Sequence, residues 1–215
     1  MYLLNHTLWF PNQKNANEDG ILAIGGDLSI QRLQLAYESG IFPWFSEGEP
    51  IIWWSPDPRM VLFPSEFKVS KSLRRTIAKT TFKITFNEAF EEVITSCAEI
   101  RREGQGGTWI TSEMKDAYVA LHKKGIAQSV EVWEEDKIVG GIYGIKLEKQ
   151  KVFCGESMFA KKSDASKIGL YFLVEQLKQA NYKLIDCQVY TPHLEGLGAR
   201  EIARDDFLYI LNSKR

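Results

Sequence analysis

Residues 127–159 decide the fold, and they read Ala127-Gln-Ser-Val-Glu-Val-Trp-Glu-Glu-Asp-Lys-Ile-Val-Gly-Gly-Ile-Tyr-Gly-Ile-Lys-Leu-Glu-Lys-Gln-Lys-Val-Phe-Cys-Gly-Glu-Ser-Met-Phe159. Apolar and polar side chains alternate over residues 127–133, which predicts a half-buried strand. The pair Glu135-Asp136 predicts a turn, so residues 138–145 return as the second strand of a hairpin. Residues 151–159 predict a third strand. The stretch therefore predicts three successive antiparallel strands.

Helices and further strands are predicted on both sides of these three strands. The sequence predicts helices over 69–79, 87–98 and 111–124, with Asn87 and Thr111 as N-caps, a strand over 82–86 and a Gly-rich loop over 104–107. Downstream, it predicts a helix over 165–178 and a strand over 183–190. This order favours an α/β (α+β) fold with a mixed sheet of acetyltransferase type over a doubly wound nucleotide-binding fold.

The beginning of the chain differs in texture from the rest. Residues 1–63 concentrate Gly, Pro and aromatic side chains, which predicts a small N-terminal α/β domain beside a C-terminal domain over 64–215. One helix is well marked there, since Ser29 can cap residues 30–38 and Gly40 can end it. Gly25-Gly26 could cradle a phosphate before this helix, but a tight turn is favoured because no phosphate-loop motif is present.

Composition narrows the class of protein. The chain has 215 residues, 44% hydrophobic and 26% charged, with a formal net charge of −1, which is typical of a globular protein and excludes a uniformly cationic nucleic-acid coat. Cys97, Cys154 and Cys187 are odd in number and form no CxxC pair, so neither a disulfide framework nor a zinc knuckle is indicated. With no signal-peptide pattern and no run of about 20 apolar residues, a cytoplasmic location is predicted.

A one-sided basic helix is the first candidate interface. At 100° per residue, Lys71, Arg74, Arg75 and Lys79 fall on one side of the predicted helix over 69–79. A cationic helix face in a neutral protein can follow a phosphate backbone. Taken alone, the pattern favours a merely solvated helix face over such an interface.

Polar residues within apolar strands are the second candidate. Glu156 interrupts an apolar run, and Asp186 and Gln188 are two residues apart, so we expect them on one face of their strand. A buried carboxylate needs a cationic or donor partner, which could be a substrate ammonium group or an internal hydrogen-bond network. No histidine accompanies these residues at ligand spacing, so no metal site is predicted, and His193 lacks a nucleophile in a recognised motif.

Several unusual strings run in order along nearly the whole chain. They are Asp19-Gly-Ile-Leu-Ala-Ile-Gly-Gly-Asp-Leu-Ser29, Ala36-Tyr-Glu-Ser-Gly-Ile-Phe-Pro-Trp-Phe-Ser46, Trp53-Trp-Ser-Pro-Asp-Pro-Arg59, Thr108-Trp-Ile110, Ala117-Tyr118, Leu121-His122, Ser129-Val-Glu-Val-Trp133, Val139-Gly-Gly-Ile-Tyr-Gly144, Gly155-Glu-Ser-Met-Phe159, Ala165-Ser-Lys167, Leu184-Ile-Asp-Cys-Gln188 and Leu197-Gly-Ala199. With these strings the chain resembles the leucyl/phenylalanyl-tRNA–protein transferase family.

The resemblance implies a fold and an activity. The implied fold is a small N-terminal domain beside a GNAT-type acyltransferase domain. The implied protein is a monomer that uses no metal or cofactor. The activity is transfer of Leu or Phe, and Met less well, from aminoacyl-tRNA to the α-amino group of a protein that begins with Arg or Lys. The product carries an N-end rule degradation signal.

The resemblance also implies roles for individual residues. Asp186 and Gln188 would lie at the catalytic centre, and Glu156 would position the aminoacyl group. The aminoacyl pocket would use Ser157 and Met158 of the Gly155–Phe159 string, with Ile142, Leu173 and Leu177 at matching positions. Trp53, Trp54 and Trp109 would stack on the terminal adenosine, although one of the adjacent pair should pack inside because neighbours in extended chain face opposite ways. Lys71, Arg74, Arg75 and Lys79 would contact the tRNA.

Two rival functions remain open. A CoA-dependent N-acetyltransferase of the same fold would bind pyrophosphate on an [RQ]xxGx[GA] loop, yet residues 161–167 contain no glycine, and the matching letters at 101–106 come too early. A non-catalytic tRNA-binding protein would also carry the basic helix. Buried polar side chains on apolar strands argue against that second rival.

Overall fold

The computed structural model describes residues 1–100 and 108–213, so the predicted loop over 104–107 and the glycines at 101–106 lie outside the described residues. Within the described residues the strands form two sheets, of four and seven strands. The smaller sheet contains Tyr2–Leu4 (β1), Ile21–Gly25 (β2), Phe42–Pro43 (β3) and Ile52–Trp54 (β4) in the order β1-β2-β4-β3. Strands β1 and β2 are parallel, and the other pairs are antiparallel.

The larger sheet carries the three strands predicted from residues 127–159. Its members are Arg59–Leu62 (β5), Lys83–Phe86 (β6), Ala127–Glu134 (β7), Lys137–Leu147 (β8), Val152–Ala160 (β9), Leu184–Gln188 (β10) and Arg200–Ile202 (β11). They lie in the order β11-β5-β10-β9-β8-β7-β6. Strands β9 and β10 are parallel and all other neighbours are antiparallel. The mixed α/β sheet is therefore confirmed.

Helices follow the predicted capping signals with one exception. They are Ile30–Glu38 (α1), Lys71–Lys79 (α2), Phe90–Glu99 (α3), Ser112–Lys123 (α4), Ala165–Gln179 (α5), Pro192–Gly196 (α6) and Arg204–Asn212 (α7), with short 3-10 turns at Gln13–Asn15 and Pro64–Glu66. Ser29 and Thr111 cap α1 and α4 as predicted. The predicted Asn87 cap is wrong, because Asn87 has φ +62° and accepts a hydrogen bond from the Ser129 amide instead.

The larger sheet is covered on both faces. Helix α5 packs Leu170, Leu173 and Val174 against one face, and α3 and α4 cover the other, where Tyr118 and Tyr143 are fully buried. Gly140 is required for the α5 contact, because a Cβ there would lie 2.7 Å from the Ala165 Cβ.

The two sheets share one continuous core, in which Trp53 and Leu22 of the smaller sheet belong to the same cluster as Tyr143. The division at 63/64 stays a prediction, and β5, which falls before it, pairs within the larger sheet. The amides of Gly25 and Gly26 donate to Ile51 and Leu4, as expected of a tight turn. Among the described residues, every helix is too short or too polar to cross a membrane.

Candidate active site

The two parallel strands at the centre of the larger sheet separate and leave a cavity. Their pairing ends where Cys154 of β9 faces Asp186 of β10. Beyond that point a cavity of about 550 Å³ opens between the strand ends, helix α5 and strand β3. A space of this size suits an amino-acid side chain together with part of a nucleoside.

One end of the cavity is apolar. It is lined by Leu62, Ile142, Phe153, Met158, Leu170, Leu173 and Ile185. The structure thus brings Ile142, Ser157, Met158 and Leu173, all expected in an aminoacyl pocket, to one space. Leu177 does not line it, because this side chain lies further along α5, 4% exposed and packed in the core.

Two indole rings, those of Trp44 and Trp109, line the cavity beside the phenylalanine rings. Trp53 is absent from the lining, because its ring is fully buried and its indole N–H donates to the Gly25 carbonyl. Trp54 lies behind Trp44: its indole N–H donates to the Trp44 carbonyl at 2.6 Å, and the two rings are 5.3 Å apart. One of the adjacent Trp53–Trp54 pair was expected to pack inside, and in the structure it is Trp53. The cavity is lined by Trp44 and by neither member of that pair.

Glu156 and Gln188 belong to the polar part of the cavity wall, together with Ser157, Ser166, Thr191 and His193. The Gln188 side-chain amide donates to Glu156 Oε1 at 2.8 Å. On the other oxygen, the Tyr118 hydroxyl donates to Glu156 Oε2 at 3.0 Å, and the Tyr37 and Tyr118 hydroxyls hydrogen-bond to each other. The carboxyl is thus held by neutral donors and has no cationic partner within the described chain.

This environment shifts the acid–base behaviour of Glu156. Burial raises the pKa of Glu156 to about 7, and the negative charge of Asp186 acts in the same direction. Hydrogen bonds from Tyr37, Tyr118 and Gln188 partly oppose that rise in pKa. A carboxyl with a pKa near neutrality is suited to taking up and releasing protons at physiological pH.

Asp186 does not line the cavity. Its two carboxylate oxygens accept from Arg59, with Nε to Oδ1 at 2.8 Å and Nη2 to Oδ2 at 2.7 Å. Both side chains are 2% exposed or less. Of the two partners that the sequence left open for this carboxylate, the structure contains the internal one, so a substrate ammonium is not needed to compensate its charge.

Asp186 and Gln188 also fail to share a strand face. The pairing of β10 with β5 shifts register between these residues, and Gln188 has a left-handed φ of +64°. A bulge of this kind places an extra residue in the strand and breaks the two-residue alternation. Gln188 therefore turns to the cavity, whereas Asp186 remains with Arg59 on the opposite face.

The basic face lies one helix away from the cavity. Lys71, Arg74, Arg75 and Lys79 are exposed, while Leu73 is buried beneath them. Helix α2 packs on α5, which lines the cavity. In the part of the chain that the structure describes, none of the four cations forms an ion pair.

Neither a metal cluster nor a thiol nucleophile is seen among the described residues. No three His, Cys, Asp or Glu side chains of residues 1–100 and 108–213 are placed to hold a metal. Cys187 lines the cavity as a free thiol, but burial raises its pKa well above the usual value. The cavity therefore offers an acid–base group and hydrogen-bond donors, without an activated thiol.

Four residues important for the site were not predicted from the sequence. Trp44 stands in an aromatic string whose inner and outer members cannot be told apart without the strand pairing. Tyr37 and Tyr118 occur in the strings quoted above, yet they are 81 positions apart. Arg59 is 127 positions from Asp186. The one signal for Arg59 in the sequence was its position at the end of a buried strand, where a cation needs a partner of opposite charge.

The Arg59–Asp186 pair predicts a large stability effect. Asp186→Ala leaves the buried Arg59 guanidinium without its counter-charge, so the free energy of unfolding should fall by about 3–5 kcal/mol. Urea denaturation measures this. The matched control is Asp27→Ala, where the buried Arg32 keeps its bonds to the Asn5 and Thr7 carbonyls and the loss should be smaller. Equal unfolding midpoints for Asp186→Ala and the wild type would contradict the pairing.

Comparison with known proteins identifies the relatives of this chain. The family model described as leucyl/phenylalanyl-tRNA protein transferase matches residues 61–212, and the model of that family's N-terminal domain matches residues 26–57. The Leucyl/phenylalanyl-tRNA--protein transferase of Flavobacterium johnsoniae is 60% identical over 100% of both chains. That of Christiangramia forsetii is 56% identical over 98% of this chain and 100% of the relative. Among solved structures, a GCN5-related N-acetyltransferase from Kribbella flavida aligns with a TM-score of 0.39 at 9% identity, covering 79% of this chain and 60% of that chain.

The matching family models and the curated relatives define an enzyme of the acyltransferase class. More particularly, the chain belongs to the leucyl/phenylalanyl-tRNA–protein transferase family.

Proposed function

We propose that this protein moves Leu or Phe, and Met less well, from aminoacyl-tRNA to the α-amino group of proteins that begin with Arg or Lys. The product would carry an N-end rule degradation signal, and the enzyme would act in the cytoplasm as a monomer without a cofactor. The observation that carries the proposal is the cavity in which an apolar pocket, two indole rings and the Glu156–Gln188 pair meet.

The acyl donor fits this cavity by the chemistry of its parts. The apolar end accepts the side chain of Leu or Phe, and Trp44 and Trp109 provide stacking surfaces for the terminal adenine. An apolar pocket distinguishes side chains that differ by one methylene by only about 1–3 kcal/mol. Acceptance of Leu, Phe and, less well, Met is therefore the expected behaviour.

Glu156 and Gln188 would carry the chemistry. The acceptor α-amine attacks the ester carbonyl carbon while Glu156 takes a proton from its nitrogen. The C–N bond forms, the bond from that carbon to the ribose oxygen breaks, and the proton passes from Glu156 to the departing ribose oxygen. An amide NH₂ carries two N–H bonds, so Gln188 can donate one to Glu156 and the other to the developing oxyanion.

The aminoacyl ester is already activated, so the reaction needs no covalent intermediate on an enzyme side chain. Orientation of amine and ester, together with proton transfer, is what remains for the enzyme to supply. Asp186 would act through Gln188 and would not contact the substrate, because both of its oxygens bind Arg59.

A direct transfer assay tests the proposed function. The protein is incubated with charged Leu-tRNA and a peptide that begins with Arg, and mass spectrometry should show one added leucine residue. A peptide of the same sequence with an acetylated N-terminus is the matched control and should remain unchanged. Acetylation of the peptide from acetyl-CoA without leucine transfer would overturn the proposal in favour of a CoA-dependent enzyme, and tRNA binding alone would favour a non-catalytic protein.

The basic face of α2 is proposed to contact the tRNA backbone. Charge reversal at Arg74 and Arg75 should weaken tRNA binding and reduce its salt slope by about one for each lost phosphate contact. Filter binding between about 50 and 200 mM salt measures both quantities. Reversal of Lys123 and Lys124, which are exposed on another helix end, is the control and should have a smaller effect. Identical affinities for the Arg74/Arg75 variant and the wild type at every salt concentration would exclude this face.

A further inference from the structure

Arg59 lies at the start of β5, outside the cavity, and is enclosed by aromatic rings. Its guanidinium carbon is 4.8 Å from the centre of the Phe42 ring and 4.6 Å from that of Phe207. Phe42 belongs to β3, which leads into Trp44, and Phe207 belongs to α7. With its side chain 1% exposed, Arg59 is fixed in position by two elements that pack on the sheet.

This fixed guanidinium determines the orientation of Asp186. Two parallel N–H to oxygen bonds of 2.8 and 2.7 Å define the plane of the carboxylate as well as its position. Oδ1 of that carboxylate also accepts from the Gln188 backbone amide at 3.0 Å. One oxygen therefore joins Arg59 to the bulge from which the Gln188 side chain projects.

The bulge needs such a fixed acceptor. Gln188 has φ +64°, a left-handed conformation that costs an L-residue energy unless its surroundings hold it there. From this backbone the Gln188 side chain reaches Glu156 at 2.8 Å. A displacement of about 1 Å at a reacting group can reduce turnover by about 100-fold, so the acceptor for the Gln188 amide bears directly on catalysis.

We propose that Arg59 is a positioning residue for the transfer reaction: clamped by Phe42 and Phe207, it fixes Asp186 and, through Asp186, the left-handed backbone that aims Gln188 at Glu156. The proposal rests on the proposed function. Phe42 then connects the two features, because its ring contacts Arg59 and also lines the cavity, two residues before Trp44.

The test compares Arg59→Lys with Arg32→Lys. Lysine keeps the positive charge but cannot donate the two parallel hydrogen bonds that Arg59 gives to Asp186. Arg32 is equally buried and likewise pairs with an aspartate, but its partners lie at residues 5–7 and Asp27, away from the cavity. For Arg59→Lys, the kcat of leucine transfer should fall at least tenfold while the KM for Leu-tRNA stays within about twofold. Arg32→Lys should leave both constants unchanged.

A second readout does not depend on turnover. Hydrogen exchange of the Gln188 backbone amide, followed by NMR, should accelerate in Arg59→Lys and remain slow in Arg32→Lys. This result would hold even if the wild-type protein transferred no leucine, so failure of the proposed function is distinguishable from failure of this proposal. Should Arg59→Lys not fold, Phe207→Leu is the second variant, because it removes one of the two rings that hold Arg59 and leaves Arg59 itself in place. It should still lower kcat several-fold and accelerate hydrogen exchange of the Gln188 amide. Wild-type kcat and wild-type exchange in the variant that folds would overturn the proposal.

Discussion

Glu156→Gln is expected to lower the rate of leucine transfer by about 100- to 10,000-fold, the usual effect of removing a general base. Glutamine has nearly the same shape as Glu156 and can still accept from Tyr118, so the cavity should keep its form. It cannot accept the proton of the attacking amine. Single-turnover kinetics with saturating Leu-tRNA and peptide measure the chemical step, and the Kd for Leu-tRNA should remain within about threefold.

The pH profile distinguishes proton transfer from a structural role of Glu156. Burial raises the pKa of this carboxyl to about 7, so the wild-type rate should fall as the pH drops through about 7 and the carboxylate takes up a proton. Glu156→Gln should lose this component. Because the acceptor α-amine itself has a pKa near 8, it contributes equally to both profiles.

Glu131→Gln is the matched control for Glu156→Gln. Glu131 is fully buried on the same sheet, where it accepts from Thr85 and Ser129 at 2.5 Å, and it does not line the cavity. Its substitution should affect stability while leaving the transfer rate of the folded enzyme and its pH profile unchanged. If the profiles of the wild type and Glu156→Gln have the same shape, Glu156 is not the base.

Trp44→Ala should raise the KM for aminoacyl-tRNA by about 5- to 150-fold, because a base stacked on an aromatic ring contributes about 1–3 kcal/mol. The kcat should change little, since Trp44 is part of the cavity wall and has no role in proton transfer. Trp44→Phe keeps an aromatic surface and should retain most of the affinity. Steady-state kinetics over a range of Leu-tRNA concentrations measure both constants.

Trp9→Ala is the control for Trp44→Ala. Trp9 is 39% exposed and Trp44 is 38% exposed, so each substitution removes an indole of similar accessibility. Trp9 packs edge-on against Tyr2 and does not line the cavity. A KM that rises equally in both variants, or in neither, would show that Trp44 does not bind the adenosine.

Local patterns were sufficient for much of the fold. Alternation over 127–133 and the turn at Glu135-Asp136 predicted the hairpin of β7 and β8, and Ser29 and Thr111 predicted two helix starts. These signals depend on residues within a few positions of each other. Asn87 shows the limit of such reasoning, because its side chain found a partner on a neighbouring strand instead of the helix amides.

The candidate site could be predicted only in part, for reasons that can be traced to the same residues. Glu156 and Gln188 were found because polar groups interrupt apolar strands. Asp186 and Gln188 were expected on one face of their strand, but the bulge before Gln188 breaks the two-residue alternation on which this expectation depended. The partner of Asp186 was missed because Arg59 comes next to it only when β5 and β10 pair. Trp44 was not predicted, because the pairing of β3 with β4 decides which indole faces outwards, and local sequence does not reveal that pairing.

The most direct test of the account is a crystal structure of the protein with a non-hydrolysable leucyl-adenosine amide bound. We expect the leucine side chain among Ile142, Met158 and Leu173, the adenine against Trp44 or Trp109, and the carbonyl within hydrogen-bond distance of the Gln188 amide. A ligand seated outside this cavity, or one whose carbonyl lies away from both Gln188 and Glu156, would contradict it.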